Sequence, residues 1–331
     1  MIECIFTIDY EIYGNGEGSL AELVYEPMAK LMEIFEAHKM KIVIFAEAAE
    51  LEIIEQHKTD PAIYNIKDQL GELYQKGFEI GLHLHPQWYN AKNANGKWLL
   101  DYDEYNICTL SREKITQIID RSITYLQKML NVPDYIPFSF RAGNWLFQPT
   151  EIVASVLSKK GIKIDSSVFK GGLQHQHHLD YRKAIKNGNY WKFTKDVNVP
   201  DLNGIMIELP IYTQMVPFWK MLTGKRVGLQ QKLTSSNQTT QTDIKRYLDF
   251  LRFRYPLKFD FCRMNLEELI EMTEKIIKNN DRNPSSYCPI VSIGHTKDLV
   301  DCETVNSFLC YLEEKRIHVT TFNKSFLNFA S

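Results

Sequence analysis

The chain has 331 residues and a mass of 38.7 kDa, a length that admits either one large α/β barrel or two domains of ordinary size. About three quarters of the unfolded surface is buried on folding at this size, so neither disulfides nor a structural metal is needed to hold the core. The 39 basic and 41 acidic side chains leave a net charge of −2, and no nucleic-acid partner is expected, since that would need a basic excess or face.

Met1 leads directly into Ile2, Cys4, Ile5, Phe6 and Ile8, with no basic segment and no small-residue cleavage site, so the expectation is a cytoplasmic chain without a cleaved export signal. No apolar run approaches the length of a membrane span. The six cysteines (Cys4, Cys108, Cys262, Cys288, Cys302, Cys310) are scattered, without a C-x-x-C pair, and read as reduced thiols rather than bridges or zinc ligands.

Short runs rich in Ile, Val and Phe alternate with longer stretches of helical spacing, the signature of βα units around a mostly parallel sheet. In chain order the pattern predicts a strand over Ile2 to Ile8, a helix over Leu20 to His38 and a strand over Lys41 to Ala46. It continues with a helix over Pro61 to Lys76, a strand over Phe78 to Leu84, a helix over Arg112 to Leu130 and a strand over Phe138 to Arg141. A helix over Pro149 to Lys160 and strands over Ile162 to Ile164 and Gly204 to Ile211 follow. The last elements are a helix over Asn265 to Lys278, a strand over Pro289 to Ile293, a helix over Glu303 to Glu314 and a strand over Ile317 to Thr320. Ser111 is an N-cap, Pro61 and Pro149 occupy first turns, and Gly77 and Gly161, each after a Lys, are left-handed C-caps.

Two stretches interrupt the alternation. Pro86 to Tyr105, polar and aromatic, reads as a long loop. Lys170 to Thr242 carries His175, His177 and His178, a hairpin around Asn203-Gly204 and the polar run Thr234 to Thr242; it reads as an insertion or subdomain. Within it, Ile211 to Leu222 is expected to pack against the barrel. The expected architecture is therefore α/β: a distorted (β/α) TIM-like barrel over residues 1–331 with an insertion at 170–242.

In such barrels the chemistry sits at the carboxyl ends of the strands. The residues there are Asp9 and Glu11 after the first strand, His83 and His85 at the third, Arg141 at the fourth, Asp165 at the fifth, and Gly294-His295 at the strand beginning with Pro289. On an extended segment His83 and His85 point the same way, so both can reach one ion. With one carboxylate they form a two-His, one-carboxylate site for Zn²⁺ or another divalent ion (Co²⁺, Ni²⁺, Mn²⁺, Fe²⁺), open for water and substrate.

These residues resemble, in chain order, the motifs of the polysaccharide deacetylases with the NodB-homology domain (carbohydrate esterase family 4). Thr7-Ile8-Asp9-Tyr10-Glu11 is similar to T-F-D-D, and Val43-Ile44-Phe45-Ala46 to A-T-F-F. Gly77 to Pro86 is similar to G-x-E-I-G-x-H followed by H-P, Phe140 to Trp145 to the Arg motif, Gly161 to Ser167 to the Asp motif, and Ile293-Gly294-His295 to L-x-H. The chain departs from the family in having Tyr10 where a second Asp is usual, with Glu11 one position later, and in its H-x-H spacing.

The resemblance implies metal-dependent removal of an acetyl group from an N-acetylated sugar or glycan precursor. It implies metal on Glu11, His83 and His85, Asp9 as base oriented by Arg141, His295 as acid, and Asp165 paired with His295. Trp88, Trp145 and Asn144 are candidate substrate contacts, since aromatic faces suit sugar rings. An allantoinase-like hydrolase of a non-sugar C–N bond and a non-catalytic carbohydrate-binding barrel are the alternatives.

Overall fold

A computed structural model describes residues 1–185, 190–221, 254–282, 284 and 287–330. The strands in chain order are β1 (Ile2–Tyr10), β2 (Val43–Glu47), β3 (Glu79–Leu84), β4 (Lys92–Ala94), β5 (Lys97–Leu99), β6 (Ser139–Ala142), β7 (Ile164–Asp165) and β8 (Leu173–Gln174). They continue as β9 (Leu179–Asp180), β10 (Trp191–Phe193), β11 (Met206–Glu208), β12 (Thr213–Pro217), β13 (Arg254–Lys258), β14 (Cys288–His295) and β15 (His318–Thr320).

The main sheet runs β10-β11-β7-β6-β3-β2-β1-β14, parallel throughout except for the β10–β11 pair. β15 takes the lower part of one edge of β1, through Glu3 to Ile5, and β2 takes the upper part, through Thr7 to Tyr10. The sheet curls until Ile211, just past β11, makes single parallel bridges to Phe169 and to Val291 of β14. The result is the distorted α/β barrel that the strand–helix alternation predicts.

β1 is buried along nearly its whole length, as expected of a parallel strand covered on both faces. The period of two divides its side chains. Cys4, Phe6, Ile8 and Tyr10 face the layer of helices, whereas Ile5 joins Val43, Phe45, Ile164, Leu209, Val291 and Phe322 in a second, interior cluster. Thr7 and Asp9 share the parity of Ile5, so the strand's carboxyl end delivers its acid to the barrel interior. Tyr10 points the other way and donates from its hydroxyl to Gln69 Oε1 at 2.6 Å, which removes it from the site.

The helices are α1 (Glu26–Ala37), α2 (Ala48–His57), α3 (Ile63–Gln75), α4 (Arg112–Leu130), α5 (Glu151–Lys159), α6 (Leu266–Arg282), α7 (Cys302–Glu314) and α8 (Phe322–Ala330). Ser111 caps α4, accepting from the Lys114 amide, and Gly77 and Gly161 have the expected positive φ of 80° and 94°. Pro61 and Pro149 precede α3 and α5 rather than occupying their first turns. A π-helical turn, Ala21–Tyr25, opens the helix predicted from Leu20.

Two helices escape the sequence pattern. α2 follows β2 without a breaker, because Glu47 is both the last residue of the strand and the N-cap whose carboxylate accepts from the Glu50 amide. α8 sends Phe322 into the interior cluster and sets Phe326 against Phe138, closing the end of the barrel opposite the strand carboxyl ends.

Pro86 to Tyr105 is not a plain loop: it contains the β4–β5 hairpin. The antiparallel β10–β11 pair encloses Asn203-Gly204, as expected of a hairpin. β12 pairs with β13, and β8 with β9. Thr234 to Thr242 and Leu222 lie outside the described residues. No disulfide joins the six cysteines, four of which are buried. Among the described residues no helix is long and apolar enough to cross a membrane.

Phe6 packs edge-on against Phe35, Phe261 and Phe308 at 5.3, 5.2 and 6.1 Å, joining β1 to the helical layer. Phe6→Ala removes the common partner of three rings and is expected to cost about 3–5 kcal/mol, read as a lowered urea midpoint at unchanged m-value.

Candidate active site

Register puts the strand-end residues side by side. Asp9 pairs with His295 across β1 and β14, Glu47 with His83 across β2 and β3, and His83 with Arg141 across β3 and β6. They open onto a cavity of about 300 Å³ lined by Asp9, Glu11, His83, His85, His295 and Lys297, with Asn144, Trp145 and Arg263 at its wall.

Arg141 is completely buried, and each of its three guanidinium nitrogens has a partner. Nη1 donates to Asp9 Oδ1 at 2.6 Å, Nη2 to Thr7 Oγ1 at 2.9 Å and Ser166 Oγ at 3.2 Å, and Nε to the Ser166 carbonyl at 2.9 Å. Its guanidinium also lies 4.2 Å from the centre of the Phe45 ring. Burial alone raises Asp9, but the Arg141 guanidinium, helped by His83 and His295, more than reverses this and holds the carboxyl below its ordinary range.

Glu11 Oε2 lies 3.3 Å from His83 Nε2 and 3.0 Å from His85 Nε2, while Lys297 Nζ donates to Glu11 Oε1 at 2.7 Å. Burial raises Glu11 too, yet Lys297, His85 and His83 bring it well below the carboxylate range. His83 Nδ1–H donates to the Arg141 carbonyl at 2.9 Å, which fixes the tautomer and turns the Nε2 lone pair toward Glu11. His85 Nδ1 lies 3.2 Å from Asn144 Nδ2 and 3.3 Å from Gln87 Nε2. Both contacts are to side-chain amides, whose orientation sets which His85 nitrogen carries the proton, and the Gln87 Oε1 is buried without a partner.

His85 Nε2 is buried without a well-aligned hydrogen bond although Glu11 Oε2 is 3.0 Å away. The three ligand atoms lie within 4.8 Å of each other. Such a nitrogen–nitrogen–oxygen donor set, with an orphaned imidazole lone pair, fits a divalent ion. Glu11 belongs to a second such group with Asp9 and His295, but Arg141 already engages Asp9, which favours the first.

Backbone supports come from a helix start the sequence reading overlooked. Glu47 accepts from the His85 amide at 2.5 Å and Glu50 from the Ile12 amide at 2.9 Å, so both ligand-bearing segments hang from the first turn of α2. Burial, then mutual carboxylate repulsion, raises Glu47 well above its ordinary range, and burial with the Glu11 charge raises Glu50 to about 8. Both shifts favour the protonated carboxyl, which adds no further negative charge.

His295 Nε2 is 3.4 Å from Asp9 Oδ2, and its Nδ1 is 3.4 Å from Asp298 Oδ2. Asp298 in turn accepts from Arg263 Nη2 at 2.7 Å. Burial lowers His295 to about 4 despite the two nearby carboxylates, so the resting imidazole is neutral.

Two sequence expectations need correction. Asp165 does not pair with His295: its carboxylate accepts from Ser167 Oγ and N, and lies against Glu208, its β11 neighbour. The carboxylates beside His295 are Asp9 and Asp298, the latter in the turn that follows β14. Trp88 is fully buried against Trp98 and offers no face to a ligand. Asn144 and Trp145 do line the cavity, in left-handed conformations with φ of 54° and 59°. Such strain persists only where the surroundings enforce it; here the Tyr181 hydroxyl donates to the Trp145 carbonyl at 2.6 Å. Sequence reasoning also missed Lys297 and Asp298, although the strand-end rule that found His295 reaches them two and three residues later.

The unfolded chain protonates His295 near 6.5 and the folded chain only near 4, so this residue's contribution to stability is intact above 6.5 and lost as pH falls toward 4. The loss is on the order of 3 kcal/mol. His83, which Asp9 and Glu11 hold above its ordinary value against burial, acts in the opposite sense. The readout is therefore the difference between wild type and His295→Gln in urea unfolding of the metal-free protein at pH 7 and pH 4.5, the variant losing less. A Cβ on Gly143 would lie 2.7 Å from His85 Cγ and from the Leu84 carbonyl oxygen. Gly143→Ala should displace the His85 ring and weaken divalent-ion binding about 10–100-fold, measured by chelator competition.

No family model matches the chain, and no curated protein matches it in sequence. Solved structures do match its fold. A protein described as a polysaccharide deacetylase, from Mycobacterium smegmatis, aligns with a TM-score of 0.52 at 12% identity over 98% of this chain and 88% of its own. A GH57 branching enzyme from Thermococcus kodakaraensis gives 0.56 at 10% identity, over 99% and 71%. A 4-alpha-glucanotransferase from Thermococcus litoralis gives 0.51 at 15% identity over 99% of this chain, which spans only 38% of that enzyme. The chain therefore has the distorted α/β barrel fold that the polysaccharide deacetylase structure displays.

Proposed function

We propose that the protein is a metal-dependent hydrolase that removes an acetyl group from an N-acetylated sugar or glycan precursor. The observation that carries this reading is that Glu11, His83 and His85 bring their ligand atoms within 4.8 Å of one another, beside Asp9 and His295. The carbohydrate-active names of the fold neighbours, and the motif order in the sequence, support a sugar substrate.

A divalent ion such as Zn²⁺, when bound by Glu11, His83 and His85, supplies Lewis acidity for the acetyl carbonyl and for water. Asp9 accepts the proton of the attacking water, and Arg141 orients it by occupying its other oxygen. His295, neutral at rest and 3.4 Å from Asp9, receives that proton and delivers it to the departing nitrogen. Asp298, facing Nδ1, stabilises the imidazolium that this transfer creates. Trp145 presents an aromatic wall to the sugar ring, with Asn144 beside it.

Elemental analysis after metal-replete purification should give about one divalent ion per chain, and acetylated sugars should release acetate with the glycan chain intact. His83→Ala and His85→Ala should lose both ion and activity, while Asp9→Asn should keep the ion and lose at least about a hundredfold in kcat. Full activity without metal, preferential hydrolysis of ureides or cyclic amides, or chain shortening in place of acetate release would each refute the reading.

A further inference from the structure

We propose that Lys258 makes this site selective for sugars that carry an oxyanion, a carboxylate or a phosphate. The inference rests on the proposed function for its acetylated-sugar substrate and adds the substituent that substrate bears.

Lys258 is the last residue of β13, in a part of the chain where no motif suggested chemistry. Phe259 and Phe261 exchange backbone hydrogen bonds with Ile293 at 2.9 and 3.0 Å, and Asp260 bridges Ile293, two residues before His295. This stitching sets the end of β13 on the same rim as His295. From there Lys258 Nζ lies 3.0 Å from the centre of the Trp145 ring, a wall of the cavity, and 4.8 Å from that of Phe169.

The other cations around the cavity are matched by carboxylates: Arg141 by Asp9, Lys297 by Glu11, Arg263 by Asp298. Lys258 alone among them has no carboxylate within ion-pair distance among the described residues, and it rests instead on the Trp145 and Phe169 rings. A half-buried ammonium that rests on π faces without a carboxylate keeps part of its attraction unspent and gains more from an incoming anion than a paired cation can. Its ease of deprotonation is consistent with this: burial, aided by Arg263 and Arg141, lowers it to about 7, against the pull of Asp260 and Asp9. An oxyanion seated beside Trp145 would supply the missing counter-charge while the sugar's apolar face meets the indole.

The test is isothermal titration of the full chain, with and without added Zn²⁺, using glucose, glucuronate and glucose 6-phosphate, none of which has an acetyl group to lose. Glucuronate or glucose 6-phosphate should bind at least about tenfold tighter than glucose, the scale of one charge-assisted hydrogen bond, and the stronger of the two identifies the oxyanion. Lys258→Met should abolish the preference and Lys258→Arg should keep most of it. Exchanging a desolvated amine for an apolar side chain of similar length should not unfold the protein, and Lys258→Gln is the second variant. Equal affinities in the wild type, or a preference that survives Lys258→Met and Lys258→Gln, would overturn the inference. Acetate release from N-acetylglucosamine and N-acetylmuramic acid is scored separately. Release from both with equal KM, unchanged in Lys258→Met, also overturns the inference but leaves the deacetylase reading standing; release from neither, with the Lys258-dependent binding preference intact, removes only the deacetylase reading.

Discussion

The buried Arg141–Asp9 ion pair is the interaction on which the site depends. A guanidinium with no exposure to water is tolerable only if its donors are satisfied, and here Arg141 on β6 finds its acceptors on β1 and in the segment after β7 at 2.6 to 3.2 Å. The pair thereby ties three strand ends together. It also keeps Asp9 ionised in the barrel interior, where burial alone would protonate it.

Around this pair the site is built by alternating charge. Lys297 engages one oxygen of Glu11 and leaves the other to face His83 and His85. Arg263 engages Asp298, which faces His295. Glu47 and Glu50 hang the backbone of His85 and Ile12 from α2, and burial with carboxylate repulsion shifts both toward the protonated form. Two ionised carboxylates at the centre, Asp9 and Glu11, are balanced by Arg141 and Lys297, so a divalent ion would make the site a net cation. Lys258, packed on the Trp145 ring that walls the cavity, adds to that sense.

Much of the fold could be read from the sequence because the signals were local. Strands buried on both faces are continuous runs of Ile, Val and Phe, and Gly77, Gly161 and Ser111 mark boundaries by backbone chemistry that needs no tertiary partner. α2 escaped because its cap is Glu47, a residue whose capping role depends on where the strand stops, and because its buried residues spread over more than one face. α8 escaped because its purpose, closing the barrel end with Phe322, is set by contacts more than two hundred residues away in sequence.

The sequence by itself determined which chemical groups reach the rim. Parity along β1 and β3 sends Asp9 inward and lets His83 and His85 act together, and the strand-end rule adds Arg141 and His295. Tertiary structure alone decided the partners. Asp165 turns to Ser167 and Glu208, Asp298 takes the place beside His295, Trp88 sinks into the core, and Lys258 arrives from a segment without a motif. The physical reason is range: side-chain direction follows from backbone geometry over two or three residues, whereas a charge's partner depends on which strands the barrel brings within a few ångströms.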